Sequence, residues 1–326
     1  MLTTELCRTW GYRLPIWNAG MGGGIAGSEL AAAVTGAGGL GVLGMGGLPE
    51  PVIRAEIART RELVGAAPFG VNIIMPMVAD EAQILCCLDE RVPVLVLFWG
   101  DPAPYVDRAR EAGTKLVAQV GSVEDAQRVA AAGVDAVMIQ GVEAGGHVCA
   151  RTSLSVLLPA VVDAVAPLPV IAAGGVADGR GLAAALALGA SSVSLGTRFL
   201  CSDESQAGYR ERVAAATAED TYLTKLFDIG WPDATHRVLR NRAVYEWETA
   251  GMPASGQRPG EGEPVGSMPV AGESVELPRY AVFPPLRGFT GDLELTALYA
   301  GESCTLVNDI RPAAEIVARL AAEADR

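Results

Sequence analysis

The sequence predicts a (β/α)8 TIM barrel carrying an additional C-terminal lobe, and three observations lead there. Short β-branched runs alternate with Ala-rich amphipathic segments from Pro15 to about Gly196, and eight such units can be counted. Glycine recurs at three joints where a helix should hand over to the next strand: GluAlaGlyThrLys before Leu116, AlaAlaGlyValAsp before Ala136 and LeuGlyAlaSer before Val193. The 326 residues hold a barrel of about 250 residues plus an elaboration.

The predicted strands are 14–19, 40–43, 69–74, 94–98, 116–120, 136–140, 170–173 and 192–195, with helices between them. Glycine at the joints accepts the left-handed conformation that ends a helix at little cost. Eight right-handed units can close into a barrel, whereas an open doubly wound sheet usually has about five or six strands. The composition agrees: half of the residues are hydrophobic but few are aromatic, as suits small-residue helices packed on a parallel sheet. The barrel is assigned to 1–202 plus a C-terminal segment 303–326, and a substrate-side lobe to 203–302. Within that lobe 251–278 is dense in Gly, Pro, Ser and Glu without hydrophobic period, which predicts a long loop or partial lid. The amphipathic stretch 312–324 places Ile316, Val317 and Leu320 on one side, either closing against the barrel or serving as a stabilising tail.

A net charge of −13 disfavours nucleic acid and anionic membrane as partners. Any cofactor phosphate must then be held by backbone N–H groups and a helix N-terminus. The six cysteines are scattered without a CxxC pair, so a reduced, cytoplasmic setting is expected and no metal site is predicted. Residues 1–13 are polar and the long apolar stretches are interrupted, so no membrane anchor is expected. A homo-oligomer is left open.

In a barrel of this kind the site lies at the C-terminal ends of the strands, and the loops after strands seven and eight often hold a phosphate. Here those strands end as AlaAlaGlyGlyVal (172–176) and SerLeuGlyThrArg (194–198). Gly174, Gly175 and Gly196 let the backbone approach an anion, with Ser194 beside them and Thr197 adding a hydroxyl. The plainer alternative is that these glycines only turn the chain. Asp178 is expected to cap the next helix rather than meet a phosphate it would repel. Strand six runs into GlnGlyValGluAlaGlyGlyHisVal, which presents Gln140 and His147 at the barrel mouth. An imidazole there suits proton abstraction, against a capping or structural role. The other histidine, His236, lies outside the eight units and is expected to be structural, with no second catalytic partner nearby. Asn72 and Gln119 end strands three and five, where their amides can meet the polar edge of a cofactor ring or satisfy loop backbone. Cys149 is expected to be an ordinary buried thiol.

Five stretches occur together in one order: AlaGlyMetGlyGlyGlyIle at Met21, PheGlyValAsn at Asn72, GluAlaGlyGlyHis at His147, AlaAlaGlyGlyVal, and GlyThrArgPhe. In this the chain resembles the nitronate monooxygenases, formerly called 2-nitropropane dioxygenases, over nearly its whole length. The resemblance implies non-covalent FMN, its phosphate near Gly175 and 194–197 and its ring near Met21, Asn72, Gln140 and Gly145. It implies His147 as base, and a nitronate oxidised by dioxygen to a carbonyl product and nitrite. The partners would be a small-molecule substrate and dioxygen. Three departures are visible. Ala19, Gly20 and Met21 stand where relatives often have AlaProMet, which predicts a looser loop; Gln119 stands where many have Lys; Cys149 stands where Gly is common. A related fold, the FMN-dependent enoyl-acyl-carrier-protein reductase using NADH or NADPH, is the competing enzyme, although two acidic proteins would repel. A flavin-binding protein without turnover is the third alternative.

Overall fold

A computed structural model describes residues 2–270 and 272–326. Eight parallel strands, β1 (Ile16–Asn18), β2 (Val42–Gly44), β3 (Gly70–Ile74), β4 (Val94–Phe98), β5 (Lys115–Val120), β6 (Ala136–Gln140), β7 (Val170–Ala173) and β8 (Ser192–Leu195), follow one another as β1-β8-β7-β6-β5-β4-β3-β2. The remaining seam, between β1 and β2, is closed by the Leu40 N–H donating to the Ile16 carbonyl at 3.0 Å. The Asn18 side chain finishes it. Its Oδ1 accepts from the Val42 N–H at 2.9 Å and its Nδ2 donates to the Val42 carbonyl at 2.7 Å, replacing a rung of backbone ladder. Asn18→Leu would strand two buried backbone groups, and we expect it to lower unfolding stability by about 3 kcal/mol in a urea titration. An unchanged midpoint would show the seam to be closed by other contacts.

The period of two along each strand decides what faces where. Leu95, Leu97, Val137, Ile139 and Val193 face the helices. Trp17, Val94, Val96, Val117, Met138 and Ile171 fill the interior, joined at its N-terminal end by Leu6 and Cys7 of the first helix, α1 (Glu5–Trp10). The same alternation brings Asn72, Phe98, Gln119, Gln140, Ala173 and Ser194 to the opposite end, where they line a cleft.

Local signals set the helices. Ser122 accepts from the Asp125 N–H and starts the helix Val123–Ala132, which Gly133 ends at φ 96°. Gly113 and Gly189, the other predicted joints, have φ 75° and 100°. The eighth helical position is filled from a distance. The C-terminal helix Ala313–Ala324 packs against the helices Gly179–Ala187 and Ser28–Gly36, burying Ile316, Val317 and Leu320 in the main core. The eighth unit is thus interrupted by the lobe.

In the lobe, β9 (Thr221–Thr224) pairs antiparallel with β10 (His236–Leu239), and β10 pairs in turn with a two-residue strand, Gly146–His147, from the loop after β6. Residues 251–278 are only partly the long loop expected. Their second half forms an antiparallel hairpin of β11 (Pro264–Val270) and β12 (Glu273–Pro278). Its alternation is hidden because, of its described apolar side chains, only Met268 and Leu277 are buried. The first half is held by charge. Buried Arg258 donates to the Leu226 carbonyl and pairs with Asp228 and Glu261, its guanidinium 4.6 Å from the centre of the Tyr280 ring.

Candidate active site

A cleft of about 1130 Å³, counted to its open mouth, lies over the C-terminal ends of the strands. Every residue predicted from the sequence for the site lines it: Met21, Asn72, Gln119, Gln140, Gly145, His147, Gly175, Ser194, Gly196 and Thr197. Among the described residues no Asp, Glu, Lys or Arg side chain does.

One end is built from the two glycine turns. Gly174 and Gly175 have φ 95° and 72°, backbone that a side chain disfavours. Gly196 differs: its φ is −89°, and a Cβ there would meet only the Ala19 Cβ at 3.6 Å. The protein therefore leaves the space above Gly196 open. Thr197 begins a one-turn helix, Thr197–Leu200, and its Oγ1 accepts from the Gly301 N–H at 3.0 Å, which leaves its own proton free to donate. The longer helix after β7 offers no anion site. Asp178 accepts from its Gly181 N–H at 3.1 Å, as a cap, and Glu323 from its Gly179 N–H at 3.0 Å. An uncharged cradle of loop amides and hydroxyls fits a cofactor phosphate; the capped helix does not.

The middle of the cleft is tighter than the sequence suggests. A Cβ on Gly20 would stand 2.1 Å from the Asn72 Cβ, so the AlaGlyMet loop is pressed onto β3 rather than loosened. Gly145 is similarly confined, since a Cβ would lie 2.3 Å from the Gly301 nitrogen. Gln140 has less to offer a ring than expected. Its Nε2 donates to the His147 carbonyl at 2.9 Å and its Oε1 accepts from the Cys149 N–H at 3.2 Å, so the amide holds the histidine loop. The Asn72 amide makes one long bond, 3.4 Å, to the Val96 carbonyl. Together with Gln119 it is the amide best placed to meet a ligand edge.

His147 is 8% exposed, and its ring stacks on Trp231 with centroids 4.1 Å apart and planes inclined by 22°. Its Nε2 has no hydrogen-bond partner among the described residues. Burial, and secondarily the His236 imidazole, hold it well below the ordinary histidine value, so it is a neutral base at pH 7. His236 is closer than the sequence implied. It is in register with His147 across the small sheet, with ring centroids 5.4 Å apart. Both its nitrogens are nevertheless committed: Nε2 accepts from the Phe227 N–H at 3.2 Å and Nδ1 donates to the Ala234 carbonyl at 2.9 Å. Burial pushes it down to about 4. The Cys149 thiol is pushed up to about 12 by burial and carries no thiolate at neutral pH.

Sequence reasoning put the lobe on the substrate side but singled out none of the residues it contributes to the wall. Val282, Phe283 and Pro284 line the cleft, together with Tyr209 and Tyr299. The Tyr299 hydroxyl donates to the Val282 carbonyl at 2.7 Å and the Tyr209 hydroxyl to the Tyr299 carbonyl at 3.2 Å; burial raises both phenols. The only local sign of this wall was an apolar, proline-containing run at 281–285 in an otherwise polar region. Among the described residues no group of three or more His, Cys, Asp or Glu is placed to hold a metal ion, and no helix is long and apolar enough to cross a membrane.

Comparison with known proteins matches the nitronate monooxygenase family profile at residues 4–83 and 77–323. A probable nitronate monooxygenase of Staphylococcus aureus is 31% identical, covering 94% of this chain and 93% of its own. A (3aS,4S,5R,7aS)-5-hydroxy-7a-methyl-1-oxo-octahydro-1H-indene-4-carboxyl-CoA dehydrogenase of Mycobacterium tuberculosis is 37% identical over 76% of this chain and 69% of that protein. Among solved structures, FabK from Thermotoga maritima superposes with a TM-score of 0.83 at 32% identity, covering 100% of this chain and 97% of that one. Nitroalkane oxidase from Streptomyces ansochromogenes gives 0.77 at 32% identity, covering 96% of each chain. With eight strands, glycine turns and histidine loop all in the matched span, the chain belongs to the nitronate monooxygenase family and is a flavin-dependent oxidoreductase.

Proposed function

We propose that this chain binds FMN and oxidises alkyl nitronates, and through His147 their parent nitroalkanes, with dioxygen to a carbonyl product and nitrite. The observation that supports it most is the neutral, buried imidazole with an unpartnered nitrogen on an uncharged cleft. FMN is favoured over a dinucleotide because the paired glycine turns offer amides to one phosphate group. Gly175, Gly196, Ser194 and Thr197 would hold that phosphate, and Met21, Asn72, Gln119 and Gly145 would border the ring. The flavin, when bound, supplies the redox chemistry that links substrate oxidation to dioxygen.

The residues of the chain prepare the substrate. His147 takes the proton from the carbon beside the nitro group, and the C–H electron pair stays on the substrate as the nitronate. Gln140 fixes the loop that carries this imidazole, and the apolar wall of Ile74, Phe98, Val282 and Phe283 excludes water from it. The test is direct. Purified yellow protein, given an alkyl nitronate in air, should consume oxygen and release nitrite, and heat should release FMN. Failure to turn over any nitronate or nitroalkane would reject this function.

One observation favours a second function. Much of the cleft lining is apolar, including Ile74, Met77, Phe98, Val282, Phe283 and Pro284, and it suits the carbon chain of an uncharged thioester. Enoyl-thioester reduction needs a proton carrier, and His147 would supply it. NADH or NADPH oxidation that depends on a crotonyl thioester, without nitrite chemistry, would establish it.

A further inference from the structure

We propose that Trp231 is the positioning residue that stabilises the His147 imidazolium formed during proton abstraction, occupying the role that a carboxylate more often plays for a catalytic histidine. This rests on the reading of His147 as base. The need for such a group follows from the step itself. The substrate C–H bond breaks, its electron pair remains as the nitronate, and the proton moves to His147, which becomes a cation inside an apolar cleft. A buried cation without a partner is strongly disfavoured.

No other group near the ring meets that need. The titratable neighbours are His236 from β10, Tyr299 and the adjacent loop residue Cys149, and all are neutral at pH 7. His236 has both nitrogens bonded to backbone and cannot share the proton. No carboxylate lines the cleft among the described residues. What the imidazole does have is the face of an indole at 4.1 Å, nearly parallel, and the negative face of an aromatic ring attracts a cation.

The stack is built to persist. Trp231 is 7% exposed and meets Trp99 edge-on at 5.1 Å. Its backbone N–H donates to the Asp228 carbonyl at 3.0 Å, and Asp228 is itself fastened by Arg258. On the other side, pairing with β10 and the Gln140 amide fix His147.

The experiment compares the holoenzyme with Trp231→Leu and Trp231→Phe, on 1-nitropropane and on its pre-formed nitronate. For Trp231→Leu, kcat/KM on the neutral nitroalkane should fall about tenfold, while that on the nitronate changes little; Trp231→Phe should recover most of the loss. The acid limb of the nitroalkane profile should move to lower pH in Trp231→Leu, because a cation deprived of its aromatic face forms less readily. Equal losses on both substrates, or a limb that moves upward, would overturn the proposal in favour of Trp231 as packing that excludes water. Should Trp231→Leu not fold, 5-fluorotryptophan in place of tryptophan weakens the ring face with little change of shape and should give a smaller fall in the same direction. The protonation midpoint of His147, followed by NMR in ¹⁵N-histidine holoenzyme without substrate, separates this idea from the choice of substrate. A midpoint lower in Trp231→Leu than in the parent supports it even if no nitroalkane is turned over; an unchanged or raised midpoint overturns it.

Discussion

His147→Ala is expected to keep its flavin and to lose a factor of about a hundred or more in kcat/KM on neutral nitroalkanes, with a much smaller loss on pre-formed nitronates. The difference arises because only the neutral acid needs a proton removed. The loop itself should survive the change. Gln140 bonds to the His147 carbonyl and the Cys149 N–H, which are backbone groups that alanine retains, and the pairing with β10 is also made by backbone. In the parent enzyme, burial holds His147 well below its ordinary value, so the neutral form that acts as base persists below pH 6.5. The acid limb of kcat/KM on nitroalkanes should therefore lie below the ordinary histidine range, and His147→Ala should abolish it. Steady-state oxygen uptake against pH, with each substrate form in turn, measures both effects. Equal losses on nitroalkane and nitronate would remove His147 from the role of base.

What the sequence revealed and what it concealed have a common physical cause. The strands of the barrel were legible almost to the residue because each is short and largely buried, and all but β4 lie close to a glycine of positive φ, a local requirement. The glycine turns and the histidine loop were legible for the same reason: their chemistry sits in a few consecutive residues. The lobe was not. The pairing of His147 with His236 joins positions far apart in the chain, and no local pattern encodes it. The stack of Trp231 on His147 follows from that pairing, so it was equally hidden. At Gly20 the sequence misled in the opposite direction, because glycine there reflects the nearness of Asn72 rather than freedom of the loop. Gln140 was rightly placed at the mouth, but the partner of its amide could only be seen once the loop had folded back over β6.

Gly196→Val is expected to fold normally and to purify without flavin. Two glycines of the cradle, Gly174 and Gly175, cannot test phosphate binding cleanly, since their positive φ makes any substitution strained and a Cβ on Gly174 would already reach Ala144 at 3.0 Å. Gly196 is free of that ambiguity. Its backbone is in the right-handed region, and a new Cβ would have ordinary contact with Ala19 alone. Gly196 lines the cleft and its Cβ position is uncrowded, so a valine there should cost the protein little while its added bulk takes the place of a phosphate held by the amides around 196–197. Thermal unfolding of the flavin-free protein should change by less than about 1 kcal/mol. The dissociation constant for FMN should rise by a factor of about a hundred or more, the loss of a few charge-assisted hydrogen bonds. Absorbance of the purified variant and titration with added FMN read both quantities. A Gly196→Val protein that is as yellow as its parent would place the phosphate elsewhere, and the orientation of the flavin ring toward His147 would have to be reconsidered with it.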